Sequence, residues 1–165
     1  MVIVDIIVTL IFIFSFISGL KAGAVKEFFG LIGLFIALPV TGVTYGLIAG
    51  LLSFLPGENW ENFFGFFITL AIVSIIVFLI LLIPRKLLQV AWSGGFLSSI
   101  IGGVLNVFNA AIGLVVFVLL VQTYPIMDWL LSAVTGSSVL AWLTANLNFV
   151  QLLLPEVFHR IVVTY

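Results

Sequence analysis

Few side chains in this chain could do chemistry, and they are spread thinly through apolar sequence. Asn106 and Asn109 stand one helical turn apart. With Gly102 and Gly113 they fall within about 60° of one another at 100° per residue. Two amides on one face of an apolar helix would not be left against lipid, where unsatisfied polar groups are costly. They must meet another helix, a water-filled space or a second copy of the chain. Helix packing is one use for such a row and a polar pathway is the other. Asp5 reads as the interfacial start of a first helix before it reads as a proton carrier. Glu27, beside Lys26, stands where a second helix would begin, and the helix macrodipole favours a carboxylate there. A headgroup or partner contact is the alternative use of that pair.

Other chemistries lack the residues they need. There are no cysteines, which removes disulfides, thiolate metal sites and cysteine nucleophiles. One histidine, His159 beside Arg160, and six scattered acids do not make a metal site. A hydrolase needs a nucleophile with a base nearby, and no serine shares an apolar run with a histidine or an embedded lysine. The net charge of -1 offers no footprint for nucleic acid. The expectation is a protein that is not an enzyme and holds no cofactor.

The elements that must position these residues are legible from the charges. Hydrophobic residues make up 64% of the chain and charged ones 7%, against about 25% charged in soluble domains. Lys21 and Lys26 flank one break in the apolar sequence, Arg85 and Lys86 mark a second, and the break between them carries only Glu58 and Glu61. The intervening runs have roughly the length a helix needs to cross ~30 Å of hydrocarbon. The sequence therefore predicts an all-α membrane protein with four transmembrane helices, about 2–20, 24–52, 63–83 and 100–122, together forming a domain over 1–123. Pro39 is expected to kink the second helix. Residues 54–62 read as a turn and 87–99 as a linker loosened by Gly94 and Gly95. The positive-inside bias places the connections at Lys21–Lys26 and Arg85–Ser99 in the cytoplasm. The N-terminus, as an uncleaved first helix, and residues 124–165 then lie outside.

Residues 138–154 are marginal as a fifth crossing. Ser137, Thr144, Asn148 and Gln151 fall on one narrow face, which predicts a C-terminal amphipathic helix in the outer interface or packed against the bundle. Small residues at four-residue spacing, Ser15, Gly19 and Gly23 on one helix and Gly42, Gly46 and Gly50 on the next, read as packing faces.

Residues 18–37, SGLKAGAVKEFFGLIGLFIA, resemble the signature of the colicin V production protein family. Asp5, Gly19, Gly23, Lys26-Glu27, Gly33 and Ala37 match it in order and spacing. The resemblance departs at the fourth helix, where Gly102, Asn106, Asn109 and Ala110 replace a Gly-x-x-x-Gly-x-x-basic-Gly run. The resemblance implies a bacterial inner-membrane protein, an accessory or scaffold in toxin production and export or in envelope homeostasis. A small oligomeric channel or transporter is the alternative. The implied partners are the lipid bilayer and either further copies of the chain or another membrane protein.

Overall fold

Each of the four apolar runs becomes one long helix. They are α1 (Val2–Ala22), α2 (Ala24–Leu51), α3 (Glu58–Ala91) and α4 (Phe96–Thr123). Three short helices follow, α5 (Asp128–Thr135), α6 (Ser138–Asn146) and α7 (Phe149–Leu152), and then a 3-10 turn over Glu156–Arg160. The computed structural model describes residues 2–91 and 94–160. The side chains of His159 and Arg160, and residues 92–93 of the linker, lie outside that description. All four long helices are long and apolar enough to cross a membrane, with mean hydropathies from 2.0 to 3.3.

α3 outruns its sequence boundaries at both ends. It begins at Glu58 rather than near Phe63, because Gly57 takes a φ of 101° that ends the preceding turn. Glu58 and Glu61 in its first turn then suit the positive end of the helix dipole. At the other end it continues through Pro84 into the expected linker and stops at Ala91. Thirty-four residues rise about 51 Å at 1.5 Å each, well beyond the ~30 Å of hydrocarbon. α2 also runs unbroken through its proline, Pro39.

Only one of the three main helix pairs is formed by neighbours in sequence. α2 packs on α3 and α1 packs on α4, while α4 also packs on α2. α1 and α2 barely touch beyond their junction. α4 is thus wedged between α1 and α2. It is the most enclosed of the four, with 44% of its most apolar stretch buried against 11% for α1.

The C-terminal segment takes the second of its two expected placements, packed against the bundle, and does so as several short helices rather than one. It doubles back as a hairpin along the second half of α4. Ser137 and Val139 meet Asp5 near the start of α1. Phe149 then stacks on Phe35 and Phe108, about halfway along α2 and α4, with ring centroids 6.0 and 6.4 Å apart. The chain returns past Gly42, which faces the Pro155 ring. It closes with Phe158 against Phe66 and Tyr124, at 5.6 and 5.9 Å. The reason is burial: Leu140, Leu143, Val150, Leu154 and Phe158 are all enclosed by the bundle, which a helix lying flat across it would not achieve. The nine residues of α6 rise about 14 Å, half the hydrocarbon thickness, so α6 is no crossing by itself.

Candidate functional site

Six of the positions singled out in the sequence gather where α4 clasps the junction of α1 and α2. Gly23 sits between the two helices with φ 81° and ψ 162°, a backbone setting that L side chains rarely adopt. Its amide closes α1 by bonding Gly19 O at 3.0 Å. The next amide, Ala24 N, donates to Ser98 Oγ of α4 at 3.2 Å, satisfying one of the donors that a helix start leaves open.

The approach of α1 and α4 depends on missing side chains. A methyl built on Gly102 would lie 2.5 Å from Gly19 O and 2.7 Å from the carbonyl carbon of Gly23. A methyl on Gly19 would collide with Gly102 O in return. Backbone faces backbone here, so no flexible side chain can yield. One turn further along, Asn106 Nδ2 donates to Ser15 O at 2.8 Å. Asn109 Nδ2 donates to Glu27 O at 3.2 Å and lies 3.5 Å from Glu27 Oε2. The first amide therefore ties α4 to α1 and the second ties it to α2. Glu27 is buried with 8% exposure, and Asn109 Oδ1 is enclosed without a hydrogen-bond partner. Both amide nitrogens are spent on neighbouring helices of the same chain.

The other predicted positions lie elsewhere. Asp5 is far from the junction: Oδ1 accepts from Ser137 Oγ at 2.5 Å and from Val139 N at 3.3 Å, so it holds the base of the C-terminal hairpin. Gly33 faces Val77 and Leu81 of α3 at ordinary contact distance. Lys26 is exposed and lines a groove together with Arg85. Gly113 meets nothing within 4 Å, and neither do Gly46 and Gly50.

Several working residues escaped the sequence reading. Gly65 presses on the Ala49 backbone, where a methyl would come within 2.8 Å, and so sets the α2–α3 crossing. Gly103 does the same against the Phe16 ring at 2.8 Å. Tyr45 and Tyr124 share a 2.8 Å hydrogen bond beside Phe66 and Phe158. Burial, and then the Tyr45 hydroxyl, push the Tyr124 hydroxyl up from its ordinary value, so it stays protonated. A small residue on each of two consecutive helices was the available signal for Gly65; nothing local marks the tyrosine pair. Among the described residues, no three His, Cys, Asp or Glu side chains gather as a metal site.

The colicin V production protein family model matches residues 4–148, which takes in all four long helices and α6. No curated protein and no solved structure matches the chain. That match runs through the clasped junction and most of the chain, and the protein belongs to the colicin V production protein family.

Proposed function

We propose that this protein is a multi-pass accessory or scaffold of the bacterial inner membrane, serving toxin production and export or envelope homeostasis. In this reading it catalyses no reaction and acts by assembling with copies of itself or with another membrane protein. Its connections at Lys21–Lys26 and Arg85–Ser99 face the cytoplasm, and residues 124–165 face outward. The basic ends of α2 and α3 lie together at one end of the bundle, which supports that orientation.

The observation that carries the assembly reading is the tip of the C-terminal hairpin. Asn146 and Asn148 are exposed there, and Asn146 commits one donor to Trp142 O at 2.7 Å. The next residue, Phe149, stacks on rings halfway along α2 and α4. With those helices across a bilayer, that depth is hydrocarbon, where an uncovered amide is expensive. A neighbouring chain would supply the cover. The test is native mass spectrometry of the protein in detergent, with an Asn148→Cys variant for cross-linking between copies in membranes. Several copies, or a cross-linked neighbour, are expected. A lone chain with no neighbour at position 148 would overturn the reading.

The same exposed amides favour a second reading, an oligomeric channel whose path runs past the hairpin tips. Asn106 and Asn109 are already engaged with α1 and α2, so the path would not follow α4. A membrane-impermeant thiol reagent separates the two: it labels Asn148→Cys in a channel and fails to reach it in a sealed scaffold.

A further inference from the structure

The groove beside Lys26 shares Glu27 with the α4 clasp and none of its lining with the hairpin. It lies between residues 26–34 of α2 and 74–85 of α3 and has a volume of about 360 Å³, within the ~300–1,000 Å³ range of ligand pockets. Gly30 and Gly33 leave part of its wall without side chains, and Phe29 and Phe78 supply apolar walls. Two cations stand on it, Lys26 and Arg85. The Arg85 guanidinium carbon lies 5.4 Å from the centroid of the Phe78 ring, and its Nε is enclosed with no hydrogen-bond partner. Glu27 also lines the groove, but its carboxylate is mostly buried and neighbours Asn109. Two cations against one carboxylate leave the groove positive.

A second groove of about 330 Å³ adjoins it, lined by Val25, Phe28, Leu88, Ile101 and Leu105, with Phe29 lining both. Its described lining is wholly apolar. A cationic site next to two apolar channels matches one class of occupant. We propose that this end of the bundle binds a single anionic diacyl phospholipid, its phosphate between Lys26 and Arg85 and one acyl chain on each side of Phe29. The phosphate oxygens supply the acceptor that Arg85 Nε lacks, in the paired geometry guanidinium groups favour. The cations and the apolar walls lie on neighbouring turns, as they must where a headgroup meets hydrocarbon. The inference rests on the four helices crossing a bilayer and not on the assembly proposed above.

The experiment uses the full chain in a mild detergent. Phosphatidylglycerol, phosphatidylcholine of the same acyl chains and inorganic phosphate are added separately. Thermal unfolding and native mass spectrometry are the readouts. Phosphatidylglycerol is expected to raise the unfolding midpoint and to leave one retained lipid per chain, with phosphatidylcholine and phosphate doing neither. The double variant Lys26→Gln/Arg85→Gln should bind phosphatidylglycerol about 30-fold more weakly, while Lys86→Gln, an exposed cation off the groove, should match the wild type. The site is overturned if phosphatidylcholine serves equally, if phosphate alone reproduces the shift, or if the double variant keeps its lipid. The comparison of the two lipids needs no variant, so it stands even where the double variant fails to fold. The same spectra count chains. A lone chain that retains phosphatidylglycerol and has no cross-linked neighbour at position 148 sinks assembly and leaves the lipid site; an oligomer blind to headgroup charge does the reverse.

Discussion

Residues 96–110 of α4 pack where side chains are missing, whereas residues 111–123 and the capping Tyr124 pack where they are large. In the first half, Gly102 lets the α1 backbone in, and Asn106 and Asn109 bond to carbonyls of α1 and α2. In the second half, Ile112, Val115, Leu119, Leu120 and Val121 are buried, and Tyr124 joins Tyr45, Phe66 and Phe158 in an aromatic cluster. Lipid tails are as apolar as leucine, so burial alone gives helices in a membrane little reason to meet. The glycine half fixes where α1 and α4 cross, since backbone contact admits only one place. The side-chain half fills volume and seats the hairpin. One helix therefore serves as a clasp at one end and as a core at the other.

Placing a single methyl in the clasp should break this division most severely. Gly102→Ala is expected to destabilise by about 3 kcal/mol, the upper part of the usual overpacking range, because both colliding partners are backbone. Reversible unfolding in detergent measures it, and a change below that of the substitutions that follow would mean the crossing is not tight. Next comes the core. Phe158→Ala removes a fully buried ring and should cost about 2–3 kcal/mol, less than the soluble range because lipid removes part of the transfer term. Its loss should also free the hairpin to proteolysis, whereas Gly102→Ala should not. Ser137→Ala removes a donor from the Asp5 carboxylate and the N-cap acceptor from Leu140 N; loss of the cap should cost about 1 kcal/mol, read in the same assay and persisting in an Asp5→Asn background. Asn106→Ala should cost only about 0.6 kcal/mol, the mean for interhelical hydrogen bonds in membranes. Gly113→Ala, with open space around it, should stay within about 0.5 kcal/mol of wild type. If Gly113 proved as sensitive as Gly102, the two halves would not differ.

The parts of this arrangement that the sequence disclosed were those written in charge and hydropathy. Lys21, Lys26, Glu58, Glu61, Arg85 and Lys86 bracket the apolar runs, and four helices follow from their positions. The partners of Asn106 and Asn109 were not legible, because that requires knowing that α4 sits between α1 and α2. Gly113 shows the limit of a face drawn at 100° per residue. It shares the stripe of Gly102, but crossing helices touch over only a few turns and then diverge. The break in the C-terminal helix was hidden for a similar reason. Residues 147–148 contain neither glycine nor proline, and the turn there is held by the ring stack of Phe149 on two distant helices. Glu58 was mistaken for turn because Pro56-Gly57 stands just before it, and a stop signal for one helix is equally a start signal for the next.

The bond from Ser137 to Asp5 also sets a timetable. Its two ends are 132 residues apart, and at ribosomal rates of ~5–20 residues per second the second is made roughly 7–26 s after the first. Until then the Asp5 carboxylate lacks both of the donors that the finished hairpin gives it. A hairpin made later in the chain thus locks a helix made earlier.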